Sequence, residues 1–175
     1  SDLNVSKVKE LADGVDYLFF NGDANFPINV GTRVGHRLGE IYAKNLYKRD
    51  ENGNMIVNKQ GRPTKVSGED AFQYTLDHPI GNIEPDLLMS VSPSFTYKGF
   101  TLSALFDMKF GGDIVSVSEA MATSTGLAAR TANRGNAENG WKIVAPGVTA
   151  DGTVNSTAMN AQRYYTSMSG MAEEF

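Results

Sequence analysis

The chain has 175 residues, with 16 Lys and Arg against 20 Asp and Glu and a formal net charge of −4. An acidic chain exerts no sequence-independent pull on phosphate backbones, which excludes a general nucleic-acid binder. Cysteine is absent, which excludes disulfides, thiolate metal centres and thiol catalysis.

Ser1–Glu10 is polar and lacks the apolar core of a signal peptide. Residues 1–11 read as a strand carrying Leu3 and Val5, closed by Asp13-Gly14. Residues 12–86 read as a long loop region. Within it, Asp16–Phe20 and Asn29–Val34 are short strands around Pro27, and Gly39–Tyr47 is extended. The turn signal Asp50-Glu51-Asn52-Gly53 then folds Asn54–Lys59 back as a small hairpin. Gly61–Pro85, punctuated by Pro63, Pro79 and Pro85, reads as loop. Residues 111–175 form a second loop region, with a helix over Ile114–Thr123 capped by Asp113. Thr125–Tyr165 shows no sustained period.

Residues 87–110 are the most regular part of the chain. Met89, Val91, Phe95 and Tyr97 alternate with Ser90, Ser92, Ser94 and Thr96. After Lys98-Gly99 the pattern resumes: Phe100, Leu102, Ala104, Phe106, Met108 and Phe110 face one way, and Thr101, Ser103, Asp107 and Lys109 the other. Leu105 is the exception. Period-2 alternation marks strands whose two faces meet different media, and Gly99 supplies the positive φ of a two-residue turn. Each arm is about twice the ~5–6 residues of an ordinary strand and matches the ~9–11 of a transmembrane β-strand. Tyr97 and Phe100 at the turn and Phe110 at the far end resemble interfacial aromatic girdles. Pro93 lacks an N–H and predicts a local bulge. Alternation alone is equally compatible with a long amphipathic hairpin over a soluble core.

Catalytic signals are weak. Gly111-Gly112-Asp113 lacks any phosphate-loop pattern and reads as a strand-to-loop break. Asp50–Asn54 partly mimics a calcium loop, but Met55 stands where its glycine belongs, so a solvated turn is expected. His36 and His78 are the only histidines and read as loop residues. No Ser/His/Asp spacing, paired carboxylate or HExxH is present, so neither an enzyme nor a bound cofactor or metal is expected. Aromatics outside the hairpin, including Tyr42, Tyr47, Phe72 and Tyr74, are available to stack on sugar rings or pack on a partner. Trp141, Tyr164 and Tyr165 are taken as the candidate ligand or partner contacts.

Several stretches resemble one family in order and spacing. These are Ile80-Gly81-Asn82, Pro85-Asp86, the run from Phe95 through Lys98-Gly99-Phe100 to Phe106, and Gly111-Gly112-Asp113-Ile114. They are similar to the late barrel region of SusC/RagA-family TonB-dependent outer-membrane transporters, which commonly carry "IGN…PD", a "YKGF-L-AL-" hairpin and a following "GGDI". Val34-Gly35-His36 with Gly39-Glu40-Ile41-Tyr42 resembles that family's "VG-P-GEIYG", with Ala43 in place of the last glycine. Ser6-Lys7-Val8 before Leu11 is similar to its "NKV--L", and Ala172–Phe175 to the start of a segment leading into another strand.

The resemblance implies an all-β fold: part of an antiparallel transmembrane β-barrel of about 22 strands, with long extracellular loops. It also implies that the chain is a fragment, with plug domain and signal peptide lying elsewhere. Residues 87–110 would be a transmembrane hairpin and both flanking regions extracellular. Met89, Val91, Phe95, Tyr97, Phe100, Leu102, Phe106 and Met108 would face lipid. The implied function is import of oligosaccharide or oligopeptide across the outer membrane. The implied partners are a SusD-like lipoprotein, TonB through the missing N-terminal region, the glycan or peptide substrate, and outer-membrane lipid. The alternative from another class is a soluble, secreted β-rich surface binding module.

Overall fold

The computed structural model describes residues 2–3, 6–20, 27–132, 134–136 and 138–175. In chain order the strands are β1 (Asp2–Leu3), β2 (Tyr17–Phe19), β3 (Ile28–Arg33), β4 (Glu40–Ala43), β5 (Gly81–Asn82), β6 (Leu87–Val91), β7 (Ser94–Tyr97), β8 (Phe100–Ser103), β9 (Phe106–Phe110), β10 (Lys142–Val144) and β11 (Ala158–Asn160). The α-helices are α1 (Ala71–Asp77), α2 (Val117–Thr125) and α3 (Ala161–Met168). The sheets are small, with orders β1-β6-β9, β2-β3-β4-β5, β7-β8 and β10-β11.

The fold is therefore mixed α/β. This corrects the expected all-β, partial transmembrane barrel: the strands stay in separate short ladders, and three helices occupy stretches expected to be irregular or elsewhere. By contact clustering the chain divides into two units. The first comprises 1–21, 30–41 and 81–114, the second 22–29, 42–80 and 115–175.

In the first unit the hairpin of residues 87–110 forms as two ladders. Tyr97 pairs with Phe100 and Ser94 with Ser103, and beyond the break Val91 pairs with Phe106 and Leu87 with Phe110. Partner numbers sum to the same value on both sides of Ser92-Pro93, so no residue is inserted there. The bulge expected at Pro93 is absent. Instead the ladder loses one rung: Ala104 N–H donates to the Pro93 carbonyl at 3.0 Å, and proline has no N–H to return. Lys98 and Gly99 both have positive φ, 45° and 86°, as a type I′ turn requires.

At the chain's start, strand structure covers Asp2–Leu3 only; Asn4 and Val5 lie outside the described residues, and Ser6–Leu11 is not strand, against the strand expected over residues 1–11. The strands expected near Asp16–Phe20, Asn29–Val34 and Gly39–Tyr47 are present as β2, β3 and β4 with trimmed ends. The small hairpin about Asp50–Gly53 survives only as a single bridge, Arg49 to Met55, and a second turn over Asn58–Gly61 carries the bridge Val57 to Pro63.

In the second unit, α1 falls inside the expected loop Gly61–Pro85. Its single hydrophobic fully inside is Leu76, too little to give a visible period, and Pro79 follows shortly. Helix α2 starts three residues later than expected. Ser116, not Asp113, is the N-cap: its Oγ accepts from Glu119 N–H at 3.2 Å, a Ser-x-x-Glu capping box. Gly126, at φ 81°, closes the helix in the left-handed conformation and donates to the Ala122 and Thr123 carbonyls. Helix α3 is capped by Asn160, whose Oδ1 accepts from Arg163 N–H at 3.1 Å.

Hydrophobic burial is concentrated in this second unit. One cluster gathers Met159, Ala161, Tyr164, Tyr165 and Met168 around Ala145. Another joins Ala43, Leu46 and Ala172, with Val66, Tyr74 and Ile80 packed against it. Among the described residues, Ile41 is the one buried hydrophobic of the first unit.

Candidate functional site

Two features stand out, one in each unit. In the first unit it is the apolar face of the hairpin. Cross-strand partners share a face in an antiparallel pair, so Phe95 with Leu102, Tyr97 with Phe100, Val91 with Phe106 and Met89 with Met108 line one side. That side is unpaired with any core: Phe100 is 82% exposed and Leu102 73%, and Phe95, Tyr97, Val91 and Phe106 are exposed too. Met89 and Met108 are partly covered. The opposite side is a polar ladder in which Ser94 and Ser103, then Thr96 and Thr101, bond hydroxyl to hydroxyl at 3.1 Å, and Ser90 Oγ donates to Asp107 at 2.6 Å. Among the described residues β7 and β8 pair only with each other. A two-stranded ribbon with a bare apolar face and open edges is marginal in water.

Also in the first unit, the short motifs of the sequence converge on one knot. β4 pairs with β5, Glu40 opposite Asn82. Asn82 N–H donates to Asp113 Oδ2 at 2.9 Å, its Nδ2 to the Leu38 carbonyl at 2.9 Å, and its Oδ1 accepts from Glu84 N–H at 2.7 Å. Arg37 Nη1 donates to Asp86 at 2.7 Å. These contacts give Asn82, Asp86 and Asp113 a structural role at the base of the hairpin. Asp113, expected as a helix cap, is spent here instead.

In the second unit the feature is a cleft of about 720 Å³. Its walls come from the C-terminal end of α2, the segment leading to β10, and the N-terminal end of α3. Trp141 stands on it, half exposed, with a left-handed backbone at φ 58° that bulky side chains rarely adopt. The chain holds it there by a local network. Asn136 and Asn139 bond each other's N–H through their side chains at 3.0 Å, Trp141 N–H donates to the Asn136 carbonyl at 2.8 Å, and its own carbonyl accepts from Ala161 N–H at 3.0 Å. Arg134 supplies the one charge of the wall among the described residues, with Nη1 resting on the Gly126 carbonyl at 3.1 Å. Thr123 is 0% exposed, and its hydroxyl has no hydrogen-bond partner.

Of the three aromatics taken as contacts, the structure brings Trp141 and Tyr165 together on this cleft. Tyr165 is buried at its floor and donates its hydroxyl to the Arg130 carbonyl at 3.1 Å. Tyr164 belongs to the core, edge-on to Tyr165 with ring centroids 5.2 Å apart. Burial pushes its hydroxyl up to about 12, with nearby Glu174 adding to the shift. Sequence reasoning missed Arg134 and Thr123. The Ser-x-x-Glu box and Gly126 bracket α2, so they could have located Thr123 on its last turn.

A buried polar group lies behind the core. Tyr47 N–H donates to Glu173 at 3.1 Å, and Arg49 reaches the same oxygen at 3.5 Å. Arg130 bonds the Glu174 carbonyl at 3.1 Å, pairs with Glu119 at 3.4 Å and lies over the Phe175 ring. Burial, then the neighbouring Glu173 charge, raises Glu174 above the ordinary carboxylate range. Burial likewise raises Tyr47, with Glu174 next in effect. Both histidines have local partners: His36 Nδ1 lies 3.1 Å from Glu40, and His78 stacks on Tyr74 at 4.0 Å. Asp50 closes its own turn by accepting from Asn52 and Asn54. Among the described residues no helix is long and apolar enough to cross a membrane.

No protein-family model matches the chain, and no curated protein matches it.

Proposed function

We propose that the chain acts as part of a SusC-like, TonB-dependent outer-membrane importer that takes up oligosaccharide or oligopeptide with a SusD-like lipoprotein. One observation supports it above the others: the apolar face of the hairpin is bare, while its other face near the turn carries the hydroxyl pairs Ser94–Ser103 and Thr96–Thr101. Phe95, Tyr97, Phe100 and Leu102 expose a contiguous apolar surface that water does not favour. Acyl chains would cover it, and the hydroxyl side would meet water. The scarcity of buried hydrophobics in the first unit points the same way, since that unit then draws its stabilisation from the surrounding apolar medium. A soluble binding module would need a core beneath the same face, and the described residues of the first unit supply none. TonB engagement and substrate release would fall to segments beyond these residues.

The test is lipid quenching from chosen positions. In a Trp141→Phe background, a single tryptophan is introduced as Leu102→Trp or as Ser103→Trp, and the chain is reconstituted into vesicles of lipid brominated along the acyl chain. Strong quenching at position 102 with little at 103 is expected. Equal quenching at both, or none at either, refutes the lipid-facing role and the importer reading with it.

A further inference from the structure

We infer that the cleft of the second unit binds a carboxylated sugar ring. The inference stands on the cleft alone and holds whether or not the hairpin faces lipid.

Three properties of the wall define the ligand. First, Trp141 offers a half-exposed indole face, and its position is imposed: a left-handed backbone at a bulky residue costs about 1–2 kcal/mol, and the Asn136–Asn139 network holds it there. Strain retained in this way, where the surroundings over-determine it, clusters at ligand clamps. A flat apolar face of this kind suits the C–H face of a pyranose, whose weakly positive hydrogens meet the negative face of the ring.

Second, the rest of the lining is hydroxyl and amide. Ser124 and Thr125 bring hydroxyls that donate to the Met121 carbonyl and keep their oxygens as acceptors. Asn160, whose Oδ1 accepts from the Arg163 N–H, and Gln162 both line the cleft. Donors and acceptors mixed on one wall fit a ring carrying several hydroxyls, each of which both donates and accepts.

Third, Arg134 is the only charge on the wall among the described residues, and no carboxylate opposes it. One guanidinium N–H is spent on the Gly126 carbonyl, leaving others in the planar fork that matches a carboxylate. An anionic substituent on the ring therefore completes the set. The volume of about 720 Å³ accommodates a mono- or disaccharide.

Trp141 is the only tryptophan in the chain, so its fluorescence reports the cleft directly. The 175-residue chain in mild detergent is titrated with methyl glucuronide and with methyl glucoside, which differ in the carboxylate alone. Saturable change with both is expected, the glucuronide binding about tenfold or more tightly, as one charge-assisted contact supplies. Arg134→Gln should erase the difference while leaving glucoside binding in place, and Arg134→Lys should retain part of it. Absence of saturable change with either sugar overturns the proposal. So does equal affinity for the two, which would mark a neutral-sugar cleft, or acetate competing as strongly as the glucuronide, which would mark an anion site with no place for the ring.

Discussion

Thr123 gives the sharpest test of the cleft's chemistry, because its hydroxyl is a liability in the empty protein. The side chain is 0% exposed on the last turn of α2, and Oγ1 finds no partner. Leaving a hydroxyl buried and unmatched costs about 1–3 kcal/mol. Valine keeps the Cβ branch and nearly the same shape, and its helix propensity is close to that of threonine, so Thr123→Val removes the penalty and changes little else. The variant should be more stable by about 1–2 kcal/mol, part of the gain being lost to imperfect repacking. In urea, with a slope of about 2 kcal/mol/M, the midpoint should rise by about 0.5–1 M. Trp141 fluorescence is the right signal, since it reports the unit that contains Thr123 and not the hairpin. A midpoint lowered by about 0.5 M or more would show that the hydroxyl is satisfied after all, and would refute the reasoning.

Tyr165→Phe removes one hydroxyl bonded to the Arg130 carbonyl without emptying the core, so a loss of about 1 kcal/mol is expected in urea unfolding; no loss would mean the bond is not formed. Lys98 occupies a left-handed turn position that asparagine tolerates better, so Lys98→Asn should stabilise the hairpin by about 0.5–1 kcal/mol, read as slower amide exchange across Tyr97–Phe100. Glu174 is raised in the folded state by burial and then by Glu173, so the folded chain binds its proton more tightly than the unfolded chain. The stability this contributes is full below the ordinary carboxylate pKa and is lost as pH rises through the raised value. Glu174→Gln should therefore flatten the fall in unfolding free energy above about pH 4–5. Subtracting the variant's profile from that of the wild-type chain cancels the opposite contributions of Asp50 and Asp151, whose carboxyls are lowered by their Asn54 and Thr149 partners. An unchanged slope contradicts the burial of Glu174.

How much was legible differs between the two sites. The cleft residues sit in a stretch whose residues carry no period. Asn136, Asn139, Gly140 and Trp141 act through backbone geometry, and such geometry leaves no alternation of apolar and polar positions to read. Helix α3 buries Ala161, Tyr164, Tyr165 and Met168, an i, i+3, i+4, i+7 stripe that was legible but spans only two turns beside polar, unpatterned neighbours. Trp141 and Tyr165 were nonetheless within reach as large aromatics outside the hairpin. Arg134 was not, because an arginine in a loop becomes a site only through what stands across from it.

The hairpin shows the converse. Its register, turn and facing residues all follow from the alternation between Leu87 and Phe110, because side-chain direction in a strand has period two and a slip of one residue would reverse every face. What alternation encodes is that the two faces meet different surroundings, and it says nothing of how many neighbouring strands complete a sheet. The step from an alternating hairpin to a barrel wall was therefore a step beyond the pattern, and the separate short ladders contradict it at the level of the fold. The bare face carries the functional weight. Phe100 and Leu102 are among the most exposed hydrophobics, and no buried hydrophobic core among the described residues of the first unit lies against them. On the reverse side Ser94 pairs with Ser103, Thr96 with Thr101 and Ser90 with Asp107, so these polar groups are satisfied within the ribbon. The unmet demand is entirely apolar, which is why quenching by brominated acyl chains at positions 102 and 103 separates the two faces.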